Sequence, residues 1–220
     1  MIRLGICGAL LVGVAARASL VSTFDLDAEG WKTADLSQVT GKPTGATAAV
    51  SYNASGYIVT SDTLDWCNFA APSAFLGDKS AYYGGRFSFD LGDTYNDFGV
   101  PGALVAGPLI VLYGNNTVIA VPSLPPAKQG FTHYSLPLLA GNWLAVTSFA
   151  PGGLAPASTA TIRHVLENLQ GVYISADWHT GEDDSRLDNV VLAAPVPEPS
   201  TFLTGFVALG LLGWIGRKAQ

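Results

Sequence analysis

The sequence predicts an all-β sandwich, and three observations carry that expectation. Between its ends the 220-residue chain is cut into short apolar or alternating runs separated by Gly, Pro, Asn and Asp. Only one internal segment has helical spacing, and no regular alternation of strand and helix suggests βαβ units. The length suits one domain able to bury a core without disulfides.

The strand candidates follow in chain order. Residues 56–61 (GYIVTS) come first. In GRFSFDL, Phe87, Phe89 and Leu91 alternate with Ser88 and Asp90, so one face is buried and the other wet. Residues 107–114, 116–121, 133–138, 171–178 and 187–193 complete the set, and seven or eight strands fit a sandwich. Residues 158–171 break the pattern. There Ile162, Val165, Leu166 and Leu169 recur at helical spacing, Ser158 or Thr159 can cap the start, and Gly171 can stop the end. His164 falls between the core positions of that helix and reads as a surface residue.

Both ends read as processing segments. The N terminus has a basic start at Arg3 and an apolar run from Leu4 to Ala16, too short to span a bilayer, with small residues Ala16 and Ala18 flanking Arg17. This is the pattern of a secretory signal peptide, residues 1–18, cut by signal peptidase after Ala18. At the other end, residues 200–216 carry no charge and reach about 25 Å as a helix, enough to cross a thin bilayer. Arg217 and Lys218 follow and would stay cytoplasmic, leaving the rest of the chain outside, which agrees with the signal peptide.

Setting aside Arg3, Arg17, Arg217 and Lys218 leaves 7 basic residues against 17 acidic ones, a net charge of −10. That surface argues against nucleic acid as a partner. Once Cys7 leaves with the signal, Cys67 is the remaining cysteine, and no intramolecular disulfide is expected. Beside Trp66 and Phe69, Cys67 reads as a small buried hydrophobe.

Two stretches carry family resemblances. Pro72, Phe75, Leu76, Gly77, Asp78 and Lys79, then Tyr83, Gly84, Gly85, Phe89 and Leu91, resemble the laminin IV type A (laminin B) domain. The likeness continues through FTHYSLPL, Trp143, the helix IRHVLENLQ and the closing LDNVVL. The resemblance implies a jelly-roll-like, galactose-binding-like antiparallel sandwich over residues 22–194, used outside the cell as a structural or adhesive module. The family's cysteine-rich neighbouring modules are absent from this sequence. On the residues alone, Gly84-Gly85 frees the backbone for a tight turn, while Phe75, Leu76 and Tyr83 can pin the loop to the core.

The second resemblance lies in residues 196–220. Val196, Pro197, Glu198 and Pro199, the apolar helix at 200–216 and the terminal Arg217-Lys218 are similar to the PEP-CTERM sorting signal of Gram-negative bacteria. It implies a membrane-embedded exosortase as processing partner, cleavage near residues 197–199, and delivery from the inner membrane to the surface, outer envelope or exopolysaccharide matrix.

No Gly-x-Ser-x-Gly, His-Glu-x-x-His or phosphate-binding glycine loop occurs, so no catalytic residue and no enzymatic activity is expected, and a glycan-acting enzyme, which needs two carboxylates facing across a cleft, is the least favoured reading. Two sets of binding candidates remain. Asp25 and Asp27 near the start, with Asp183, Asp184 and Asp188 near the end, are hard oxygen donors suited to a structural calcium. A solvated acidic turn is the competing reading, since the spacing is not that of an EF-hand. Tyr82, Tyr113, Trp143 and Trp178 are candidates for stacking on the sugars of an extracellular polysaccharide, against the reading that most such rings fill the core.

Overall fold

A computed structural model describes residues 18–61, 63–95, 107–122, 130–178 and 183–196. The signal peptide up to Arg17, the Pro-Glu-Pro sequence and the expected membrane helix at 200–216 lie outside the described residues. Among the described residues no helix is long and apolar enough to cross a membrane.

The compact unit Ala18–Pro195 is built from two antiparallel sheets. Chain order gives β1 (Leu20–Ser22), β2 (Lys32–Leu36), β3 (Pro43–Ala49), β4 (Ser51–Asn53), β5 (Tyr57–Ser61), β6 (Cys67–Ala70) and β7 (Arg86–Tyr95). Then come β8 (Pro108–Gly114), β9 (Thr117–Pro122), β10 (Thr132–Pro137), β11 (Leu144–Val146), β12 (Leu154–Pro156), α1 (Thr159–Glu167), β13 (Leu169–Ser175) and β14 (Asp183–Ala193). One sheet runs β10-β7-β14-β5-β4, with β1 also on β14. The other runs β12-β11-β9-β8-β13-β6-β2-β3.

The expected strands form with small shifts of boundary. β1 starts at Leu20, two residues ahead of the expected domain edge at 22, because Leu20 and Val21 pair with Leu192 and Val191. The expectation of seven or eight strands was low, since β2, β11 and β12 are short and β3, seven residues long, is built of small residues without alternation. β14 changes partner along its length. Asp184–Leu187 pair with β5, residues 190–192 with β1, and between them the ladder to β7 is irregular, with Asn189 in the left-handed region at φ 49°. The turn between β8 and β9 has Asn115 and Asn116 at φ 47° and 59°, the type I′ geometry that suits a two-residue hairpin.

The core between the sheets follows the period-2 pattern. Phe87, Phe89, Leu91, Ile58 and Leu187 from one sheet meet Phe69, Ile110, Leu112, Ile119, Val172 and Ile174 from the other, all essentially inaccessible. A ladder of rings runs through it: Phe24, Trp31, Phe75, Phe87, Phe89 and Tyr134, with successive centroids 5.5–6.3 Å apart. Cys67 is buried in this core.

The helix begins where the sequence places it. Ser158 is the N-cap, its Oγ accepting from the Thr161 N–H at 3.1 Å, and Ile162, Val165 and Leu166 are buried. Helix α1 stops at Glu167, before Leu169 enters β13. His164 is exposed, and its carbonyl accepts from Asn115 Nδ2 at 2.7 Å. The segment before β7 forms two single 3-10 turns, Ser73–Phe75 and Ser80–Tyr82, pinned by Phe75 and Tyr82. The expected anchors Leu76 and Tyr83 are half-buried and pack against the core, with Tyr83 also lying under Arg163 at 4.0 Å and bonded to Thr159. Gly84 sits at φ +86°, and a Cβ on Gly85 would overlap the Ala193 carbonyl oxygen. The glycine pair is thus required by turn geometry and by close backbone approach.

Candidate functional site

Of the acidic candidates, Asp25 and Asp188 lie near one another, while Asp183 and Asp184 do not join them. Asp25 and Asp27 stand in the turn after β1, where Asp25 Oδ2 accepts from Thr23 Oγ1 and Asp27 Oδ1 from the Glu29 N–H, each at 2.6 Å. Glu29 Oε1 takes the Thr23 and Phe24 amides at 3.1 and 2.7 Å. These acids build their own turn. Asp188 lies at the β14 irregularity and binds the Asn189 backbone N–H through Oδ1 and the Asn189 side chain through Oδ2. Burial raises its carboxyl above the usual range, opposed by the Asn189 N–H and reinforced by Asp90 and Asp25. Asp183 and Asp184 pair with Tyr95 and Thr94, four to five residues farther along the same strand, roughly 13–17 Å away at strand rise. Among the described residues no group of three or more His, Cys, Asp or Glu is arranged to hold a metal ion. The five-carboxylate set expected for calcium is therefore not assembled.

What the fold places beside Asp188 is a row that sequence reasoning missed. Register aligns His133, Asp90 and Asp188 across three adjacent strands of the six-stranded sheet. His133 Nδ1 lies 2.6 Å from Asp90 Oδ1, and Asn189 Nδ2 bridges Asp90 Oδ2 and Asp188 Oδ2 at 2.9 and 3.2 Å. Each acid acquires a partner without any ligand.

Three of the four stacking candidates are corrected. Tyr82, Trp143 and Trp178 are 5%, 1% and 0% exposed, and an enclosed ring offers no face to a sugar. Tyr82 donates to the Ala18 carbonyl at 3.0 Å, and Trp143 Nε1 donates to the Pro137 carbonyl at 2.8 Å. Their polar handles are spent holding the fold together. Tyr113 is half-buried on the outer face of the eight-stranded sheet, beside Tyr173.

That outer face carries a second apolar layer and a groove. Ala34, Leu36, Trp66, Ala70, Val111, Val118, Ala120, Val146 and Tyr173 cluster there, with Trp66 edge-on to Phe149 at 5.3 Å. Between β3 and β13 the smallest side chains fall side by side, because Ala34, Ala70 and Gly171 occupy adjacent strands. They floor a cavity of about 160 Å³, walled by Pro43, Gly45, Ala46, Thr47 and Tyr173, with Lys32 and Gln170 also lining it. A Cβ on Gly171 would overlap the Tyr173 ring, so the missing side chain is what lets the phenol lie down on the sheet. Burial, with Tyr113 adding to it, raises the Tyr173 hydroxyl above its ordinary pKa of 10, so it stays a neutral donor.

A different polar group is sealed inside the sandwich. Asp93 is fully enclosed, with the Ser185 hydroxyl against it. The inward-facing Thr60 Oγ1 stands 3.9 Å from Cys67 Sγ. Desolvation pushes Asp93 up to about 6, against the lowering effects of the Thr94 backbone, Ser185 and Arg186, while Asp184 adds to the rise.

Two facing antiparallel sheets with one flanking helix define a β-sandwich module. The chain matches the Laminin B (Domain IV) family over residues 68–203, and it belongs to that family. It is 28% identical over 131 residues to the basement membrane-specific heparan sulfate proteoglycan core protein of Mus musculus. The match covers 59% of this chain and spans about 3% of that relative's length. In fold it is similar to the L4b domain of human laminin alpha-2, with a TM-score of 0.63 and 14% identity, covering 80% of this chain and 97% of that one.

Proposed function

We propose that this chain is an exported, non-catalytic surface or matrix module with a structural or adhesive role. Its membership of the Laminin B (Domain IV) family carries the reading. One relative is named for the basement membrane and the similar solved domain is from a laminin, names that belong to extracellular scaffolds.

Delivery rests on the ends of the sequence. Ala16 and Ala18 supply the signal peptidase site. Val196, Pro197, Glu198 and Pro199, the apolar run and Arg217-Lys218 supply a sorting signal for an exosortase, with passage through the inner membrane of a Gram-negative cell. The test is localisation in the producing cell with antibody to the folded unit. Recovery with the surface or matrix polysaccharide fraction is expected, and recovery in the cytoplasm overturns the proposal.

Carbohydrate binding is the second reading, favoured by the groove lined by Tyr173 on an outer sheet face.

A further inference from the structure

We propose that the groove on the outer face of the eight-stranded sheet binds a uronic acid residue of an acidic polysaccharide, with Lys32 holding the sugar carboxylate. The inference rests on the surface-matrix reading and adds to it a ligand class and a site.

The first argument is charge. The chain carries 17 acidic residues against 11 basic ones, yet no Asp or Glu lines the groove, whereas Lys32 does. Asp35, the carboxylate carried by β2, is engaged elsewhere: Oδ1 accepts from the Trp66 N–H at 2.9 Å and Oδ2 from Thr44 Oγ1 at 2.8 Å. Lys32 is exposed and makes no ion pair among the described residues. An unneutralised ammonium at the edge of a cavity without carboxylates selects an anion, while the acidic remainder of the surface repels a polyanion that does not engage it.

The second argument is shape. Register pairs Lys32 with Ala70 and Ala70 with Tyr173, so Lys32 and Tyr173 stand two strand spacings apart across a floor of one methyl group. Two spacings are about 10 Å, room for a single sugar ring between the ammonium and the phenol. Ala34 and Ala70 close the bottom of the groove and the Tyr173 ring covers Gly171, so the surface open to a pyranose is the exposed rim of Pro43, Gly45, Ala46 and Thr47. Around it, the Tyr173 hydroxyl, the Gln170 amide and the Thr47 hydroxyl are placed for ring hydroxyls. The opposite wall, β3, is the edge strand of its sheet and is exposed along almost all its length. A polymer can therefore run past the groove, so the recognised unit can be internal to a chain.

The test is calorimetric titration of the full chain in mild detergent with oligogalacturonate, and with cellohexaose as the uncharged probe. Oligogalacturonate binding is expected, weakened roughly fivefold by Lys32→Gln, the scale of one partly exposed ion pair. Lys32→Arg should retain most of the affinity. Lys42→Gln should leave it unchanged, because Lys42 bonds Asn116 and does not line the groove. No binding of oligogalacturonate, equal binding of cellohexaose, or equal affinity of Lys32→Gln each overturns the proposal. Fractionation of the Lys32→Gln cells separates the two readings. A variant that still reaches the matrix leaves the module reading standing, whereas cytoplasmic retention of the unmutated chain removes both.

Discussion

Asp93→Asn is the most quantitative perturbation the structure offers. The residue is fully enclosed, and burial lifts its carboxyl from 3.8 to about 6. Between those values the folded chain holds a proton that the unfolded chain has released. The stabilisation from this group is therefore fully present below pH 3.8 and lost as pH rises through 6. A shift of about two units corresponds to about 3 kcal/mol. Asparagine keeps the shape and cannot ionise, so subtracting its stability from that of the unmutated chain cancels most other titrations. Urea denaturation from pH 4 to pH 8 should show this difference falling by about 2.5 kcal/mol and levelling above pH 7. A difference that is flat or that rises with pH would refute desolvation as the dominant effect at Asp93.

Gly85→Ala should cost about 1–3 kcal/mol by urea denaturation, because the new methyl overlaps the Ala193 carbonyl; an unchanged midpoint would contradict the close approach. Ser158→Ala should cost about 1 kcal/mol through loss of the cap to Thr161, with Ser158→Asp retaining most of the stability. Melting curves in millimolar calcium and in excess chelator should superimpose, since Asp183 and Asp184 are distant from Asp188. A rise of several degrees with calcium would place a cation at the Asp25–Asp188 end.

The legible part of the fold was the part with periodicity. GRFSFDL shows its buried and wet faces directly, and the helix declared itself through Ile162, Val165 and Leu166 behind the Ser158 cap. β2 (KTADL) and β3 (PTGATAA) gave no such signal, being made of small and polar residues whose pairing is decided by their neighbours. The aromatic candidates misled for a related reason. A Tyr or Trp suits a sugar platform and a core equally well until its polar atom finds a partner, as Tyr82 finds Ala18 and Trp143 finds Pro137. The groove was not readable in advance, because residues 34, 70 and 171 become neighbours only through strand register. The His133–Asp90–Asp188 row has the same origin.

Intact-mass analysis of the mature protein recovered from the producing cell tests most directly whether a laminin-B-type sandwich is exported and released to the surface. The predicted mass begins at Ser19 and ends near residues 197–199, without the apolar run or Arg217-Lys218. A mass with the full tail still attached, found in the inner membrane, would contradict it.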